Sequence, residues 1–189
     1  MASQKLYEPA SRSSHCQASS SGEGRVYAWG GLILEFESGS KDNRIKLAGH
    51  IEQFDPYLEI WSQLNTGGTP HPGLFDAACT SFGDYLYMYG GVTLKKYKGC
   101  LSYLNMKTLT WSLLCGPEAC GGPMIKQGCG MVHFKEGKLA VIGGYGYPSG
   151  SIQPGSSFMR DPKFKDWTRG WSNEFHVFDI SQGSHSQVH

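Results

Sequence analysis

No run of 18 apolar residues occurs in this 189-residue chain, and its opening, MASQKLYEPASRSSH, lacks the apolar core of a secretory leader. Neither a membrane span nor a leader is expected, which places the protein in the cytoplasm or nucleus. An excess of one charge is also missing. The net charge is +1, and the nearest approach to a basic cluster is Lys95, Lys96 and Lys98. That cluster reads as a solvated hairpin loop, with an acidic partner or nucleic acid as the lesser alternative, so no nucleic-acid partner is expected. Apolar stretches of helical period are absent, so helices should be few. The six cysteines show no C-x2-C spacing and read as reduced, packed thiols. Cys115, Cys120 and Cys129 holding a metal with a histidine is the remote alternative. The seven histidines are scattered, no nucleophile motif has a base nearby in sequence, and GGYGYPSGS lacks the Lys-Ser/Thr step of a phosphate loop. An enzyme is therefore not expected, nor a cofactor.

What the chain does have is glycine (26 residues) and aromatic side chains (13 %). Three short apolar strands each end on a Gly-Gly step: RVYAWGG (25–31), YLYMYGG (85–91) and KLAVIGG (138–144). The first glycines, Gly30, Gly90 and Gly143, stand 60 and 53 positions apart. A second mark keeps phase with them, a short polar residue followed six positions later by tryptophan: Asp55…Trp61, Asn105…Trp111 and, with histidine in the last place, Asp179…His185. Asp or Asn at a strand end suits a turn, because its side chain can bond the backbone two residues on. Glycine at the step permits positive φ and removes a Cβ, and the space is expected to be filled by an aromatic ring, the blade tryptophan or a neighbour's tyrosine.

Each repeat thus reads as four antiparallel strands, one propeller blade. With three Gly-Gly steps in phase with three D/N-x5-W/H marks, the chain resembles the kelch repeat from about Arg12 to His189. The resemblance implies an all-β fold, a kelch-type β-propeller of three four-stranded blades. Blade 1 is placed at about 11–66, blade 2 at about 74–116 and blade 3 at about 127–189, after a flexible N-terminus, 1–10. Two insertions, 32–49 and 145–173, are expected as long loops, and the Thr66–Gly73 segment as an irregular connection.

Three blades do not close a ring of the usual four to eight. If an uncovered blade face exposes on the order of 500 Å² of apolar surface, about 12 kcal/mol is forgone per face at ~25 cal/mol per Å². That rivals the whole stability of a typical domain. The expectation is a fragment of a longer propeller. Two copies completing a ring, or a partner covering the faces, are the other solutions.

The insertion in the third repeat narrows the resemblance. Gly143-Gly144-Tyr145-Gly146-Tyr147, then Arg169-Gly170-Trp171-Ser172-Asn173, then His176-Val177-Phe178-Asp179 are similar to the kelch domain-containing protein 2 subfamily. Members of that subfamily are substrate receptors of cullin-RING ubiquitin ligases and bind client C-terminal tails, preferring Gly-Gly. The resemblance implies a peptide-binding set of Tyr145, Arg169 and Trp171, with Tyr147 and Lys126 as additional candidates. Two aromatics can wall a slot that admits glycine, and arginine can bond peptide carbonyls or a carboxylate. The family's carboxylate-gripping residues lie in later blades, and its elongin-binding box has no counterpart here. Alone, this chain is expected to bind tails weakly or not at all and to recruit no ligase. The alternatives are a generic kelch scaffold, or a non-functional fragment with no tail pocket, and more remotely a propeller enzyme. In the structural alternative Tyr145 and Tyr147 pack on a neighbouring blade, and Trp171, with Arg169 stacked on it, pins the insertion.

Overall fold

Each Gly-Gly step closes the second of four antiparallel strands. The computed structural model describes residues 7–20, 22–35, 44–69, 73–115, 124–148, 157–164, 169–180 and 187–188, with no helix among them. The first repeat contains β1 (Arg12–Ser13), β2 (Cys16–Ser19), β3 (Val26–Trp29), β4 (Leu32–Glu35), β5 (Arg44–Leu47), β6 (Ile51–Asp55) and β7 (Ile60–Leu64). The second contains β8 (Gly67–Gly68), β9 (Ala78–Phe82), β10 (Tyr85–Tyr89), β11 (Leu101–Asn105) and β12 (Thr110–Cys115). The third contains β13 (Ile125–Gln127), β14 (Gly130–Lys135), β15 (Lys138–Ile142), β16 (Tyr145–Tyr147), β17 (Phe158–Arg160), β18 (Gly170–Ser172), β19 (Phe175–Asp179) and β20 (Gln187–Val188). The blades are the sheets β2-β3-β6-β7, β9-β10-β11-β12 and β14-β15-β19-β20. Residues 1–6, the turn-rich run 37–43, the connection 116–123 with Cys120, the side chain of Cys115, segments 149–156 and 165–168, and His185 lie outside the described residues.

The first two polar marks make the expected turns, and the third, after Asp179, runs into residues outside the described ones. The Asp55 carboxylate accepts from the backbone N–H of Tyr57 (2.9 Å) and Leu58 (3.1 Å). Asn105 does the same with Lys107 (2.9 Å) and Thr108 (3.0 Å). Each turn returns the chain into an outer strand that carries its tryptophan at the second position, Trp61 in β7 and Trp111 in β12.

The core lies in the seams between blades. Because side chains alternate along a strand, β10 serves two neighbours. Leu86 and Met88 join Trp29, Ile51 and Trp111 in the seam with blade 1. Tyr87 and Tyr89 join Leu139, Val141 and Phe178 in the seam with blade 3. Trp111 meets Trp29 at 5.6 Å and Tyr89 meets Phe178 at 5.7 Å, both tilted. A fully buried side chain of this size stabilises by roughly 1.5–3 kcal/mol over exposure.

A carbonyl of the next blade, not an aromatic ring, occupies the space at the first two Gly-Gly steps. Gly31 N–H donates to the Leu74 carbonyl (2.7 Å), and Gly91 N–H to that of Lys126 (2.9 Å). A Cβ on Gly30 or Gly90 would lie well inside van der Waals contact of those same two oxygens, and both residues hold positive φ, 70° and 72°. Glycine is required because a neighbour's backbone bonds there.

The insertions also correct the sequence reading. They are sheets rather than loops. The insertion in the first repeat forms β4 and β5, which join β1 in a three-stranded sheet, and that in the third repeat forms β16, β17 and β18, which join β13 in the order β13-β16-β18-β17. Blade 2 has the minimal version, single bridges joining Phe75 to Val92 and Val92 to Tyr97. The connection Thr66–Gly73 contributes β8, which pairs in parallel with β12 as a fifth strand. The N-terminal segment is tied down at Tyr7, whose hydroxyl donates to the buried Glu52 carboxylate (2.5 Å). Arg12 pairs with the same carboxylate.

Gly90→Ala should lower stability by about 3 kcal/mol, from left-handed strain together with the clash at the Lys126 carbonyl. Gly83→Ala, also at positive φ but with nothing near the added methyl, should cost about 1 kcal/mol. Denaturant midpoints of the two variants provide the check, and equal losses would contradict the seam argument.

Candidate functional site

β16 and β18 lie side by side, with Tyr145 opposite Trp171 and Gly146 opposite Gly170. Residues two apart on a strand share a face. Tyr145 and Tyr147 therefore project together from β16, and Trp171 of β18 together with Arg169 just before it. The Tyr145 and Trp171 rings are 5.1 Å apart. Met159, opposite Trp171 on β17, extends the row. Trp171 is 43 % exposed and Met159 64 %, so this row is open to solvent.

Tyr145 is held by its hydroxyl, which donates to Asp161 Oδ2 (2.9 Å). Asp161 is buried. It also accepts at Oδ1 from the Lys163 N–H (3.0 Å), and its own N–H donates to the Arg169 carbonyl (2.9 Å). Burial, then the hydrogen bond and charge of Asp161, push the Tyr145 phenol up to about 12.

Arg169 departs from the structural alternative. Its guanidinium stands over Phe164 (4.6 Å to the ring centroid), Tyr147 (5.0 Å) and Tyr97 (5.5 Å), not over Trp171. Tyr97 and Tyr147 meet edge to face at 5.2 Å. A cation over several ring faces is attracted by their quadrupoles. Its Nε is buried without a hydrogen-bond partner among the described residues. Arg169 and Tyr147 sit on the wall of a cleft of about 650 Å³, which Tyr97, Lys95, Lys96 and Ile45 also line. The cleft thus takes residues from the upper parts of all three blades.

Lys126 is placed elsewhere. It lies in β13 opposite Gly146, between the neighbours of Tyr145 and Tyr147, so its side chain points to the other face. There it is completely buried, with Nζ 3.5 Å from Glu174 Oε2. Burial pushes its pKa down, while Cys129 and Glu174 oppose the shift. The sheet brings Tyr145, Tyr147, Arg169 and Trp171 to one face and excludes Lys126 from it. Tyr97 was missed, because it stands among Lys95, Lys96 and Lys98 in what reads as a solvated loop. An aromatic residue six positions after Gly91 was the available signal. Among the described residues no three His, Cys, Asp or Glu side chains are grouped to hold a metal ion. Cys16, Cys79, Cys100 and Cys129 are free thiols.

Comparison with known proteins gives the architecture a name. Kelch domain-containing protein 1 of Mus musculus is 27 % identical over 186 residues, a match that takes in 93 % of this chain and 43 % of that protein. The fold is kelch-type. No protein-family model matches the chain. The kelch-type chain spans less than half the length of that relative.

Removing one partner of the buried Lys126–Glu174 pair should be costly. Lys126→Met should destabilise by about 3 kcal/mol, because Glu174 is left buried without its cation, and adding Glu174→Gln should recover most of the loss. Thermal denaturation of the single and double variants tests this. A stable single variant would contradict the placement.

Tyr145 carries a pH dependence. Its folded pKa lies above the unfolded value near 10, so the neutral phenol is favoured in the fold. That contribution is complete below pH 10 and is lost as pH rises towards 12. Stability followed from pH 10 to 12 should therefore fall less steeply in Tyr145→Phe than in the parent chain.

Proposed function

We propose that this protein is a protein–protein interaction module whose upper sheet on blade 3 receives the C-terminal tail of a client protein. The observation that carries the reading is the Tyr145–Trp171 pair, with Trp171 exposed, on the same face as Arg169, which itself stands at the wall of the cleft. The two rings touch, with centroids 5.1 Å apart, and leave no slot between them; with Trp171 43 % exposed they offer an aromatic surface on which a narrow backbone such as Gly-Gly can lie closely. The guanidinium is held in place by rings and contributes a fixed positive charge towards an incoming carboxylate. Tyr97 joins the set through its contacts with Tyr145 and Tyr147.

The kelch-type fold and the similarity of Gly143–Tyr147 and Arg169–Asn173 to the kelch domain-containing protein 2 subfamily support the same reading. In it, the protein selects clients for ubiquitin ligation in the cytoplasm or nucleus, and a longer form carries the elements that recruit the cullin-RING components. Fold alone does not assign a function, so the proposal rests on the site.

A generic scaffold is the second reading. It is favoured by the engagement of Arg169 with three rings, which can serve simply to fix the upper sheet. Labelled peptides ending in a free Gly-Gly, and the same peptides amidated, separate the two. Tail recognition predicts that amidation and Trp171→Ala each weaken binding at least tenfold, with Tyr97→Ala having a comparable effect. Binding indifferent to the free carboxylate, or no binding by folded protein, would favour the scaffold.

A further inference from the structure

The seam between blades 1 and 2 holds a pair of thiols. Residues opposite one another in an antiparallel pair share a face of the sheet. Cys16 of β2 stands opposite Trp29, and Cys79 of β9 stands opposite Met88. Trp29 and Met88 both belong to the core of this seam, so both thiols are turned into it, Cys16 from blade 1 and Cys79 from blade 2. The two cysteines are 63 positions apart in the chain. The arrangement that brings them together is internal to blades 1 and 2.

Bonds from side chains to backbone fix how the two first strands lie. Cys79 Sγ donates to the Gln17 carbonyl (3.3 Å), and Ser81 Oγ to that of Ser19 (2.8 Å). Both bonds span the same 62 positions, so β2 and β9 run side by side in one direction and in one register. Cys16 Sγ donates to the Ala77 carbonyl (3.2 Å). Each sulfur therefore bonds a carbonyl within two residues of the other cysteine, and the register leaves them staggered by a single residue. Rotation about its Cβ–Sγ bond turns the Cys16 proton between the Ala77 carbonyl and the Cys79 sulfur. Each thiol is the largest influence on the other's ionisation, their hydrogen bond pushing Cys16 up and Cys79 down.

We propose that Cys16 and Cys79 form a reversible disulfide when the protein meets a peroxide, a covalent staple across the seam between blades 1 and 2. Cys79 is half-buried and Cys16 is 3 % exposed, so Cys79 meets the oxidant first. Its sulfur attacks one oxygen of hydrogen peroxide, the O–O bond breaks, and a sulfenic acid and water result. The Cys16 sulfur, already beside it, displaces the sulfenic hydroxyl and forms the S–S bond. Both thiol protons leave in the two molecules of water, and the two electrons lost by the sulfurs reduce the peroxide. The bond joins two repeats and closes a long loop, which restricts the unfolded chain more than the folded one. A thiol reductant returns the pair to the free thiols of the present structure.

Mass spectrometry of the folded chain after hydrogen peroxide, with remaining thiols blocked by alkylation and digestion carried out without reduction, tests this. A peptide pair joined through Cys16 and Cys79 is expected, absent before oxidation and lost on treatment with dithiothreitol. Oxidation should also raise the midpoint of thermal unfolding by about 5 °C or more, reversibly. Cys79→Ala and Cys16→Ala should each abolish the linked pair and the shift. Cys79→Ala, at the half-buried position, carries the test should the other variant fail to fold. Cys129→Ser, which removes the next thiol near Cys16, should alter neither result. Conversion of Cys79 to a sulfinic acid with no linked pair, a predominant link from either cysteine to another thiol, or a linked pair that forms only in denaturant would each overturn the proposal.

Discussion

The structure depends on one hydrogen bond repeated from blade to blade, donated by the N–H of the second glycine of the Gly-Gly step to a carbonyl of the leader, the segment just before the first strand of the next blade. The bond is made in the interior, where an unpaired carbonyl or N–H is costly. It can form only if the preceding residue has no side chain, since a Cβ on Gly30 or Gly90 would displace the oxygen that Gly31 or Gly91 bonds. The same contact sets the height of each blade against the next. Leu86 and Met88 then meet Trp29 and Trp111 on one side of β10, and Tyr87 and Tyr89 meet Val141 and Phe178 on the other. Backbone register and seam packing are thus two results of one constraint.

The step also explains where the candidate site lies. Its left-handed residues turn the chain out of the blade, and the emerging segment pairs with the leader of its own blade. In blade 2 this extension is reduced to two bridges, and it delivers Tyr97. In blade 3 it is three strands, and it delivers Tyr145, Tyr147, Arg169 and Trp171. Neighbouring extensions are brought together by the seam beneath them, so aromatic residues of two repeats meet around a single guanidinium. Two cations close in sequence to this region have opposite fates. Arg169 is held among ring faces at a cleft wall, and Lys126 is buried against Glu174. The difference follows from strand alternation, which turns Lys126 to the other face of the sheet.

The kelch-type scaffold does not specify what the upper sheets bind, but it determines which side chains can act together. The Tyr145–Trp171 pair is formed by direct register between β16 and β18, and Asp161 fixes the phenol from a third segment. Such a site is carried by paired strands rather than a free loop, so its geometry is set before a partner arrives. Preorganisation of this kind lowers the ordering cost of binding a partner.

Much of the fold was legible in the chain itself. The Gly-Gly steps, the polar-x5-Trp marks and the apolar second strands are local features with fixed spacing, and a blade is built largely from neighbours in sequence. Asp55 and Asn105 make their turns through atoms two and three residues away, which is why their roles could be read directly. Tyr145, Tyr147, Arg169 and Trp171 were singled out only by the resemblance of their two short motifs to a kelch subfamily; that they share one sheet face follows from the pairing of β16 with β18. Tertiary structure alone decided what fills the glycine space, since the Leu74 and Lys126 carbonyls approach from 35 or more positions away. It also decided that the insertions are sheets, that Tyr97 belongs with the rings of blade 3, and that Lys126 faces Glu174. Each of those outcomes is a contact between separate repeats or across a long insertion. No local pattern encodes such a contact, because it is set by how blades stack rather than by what adjoins a residue in the chain.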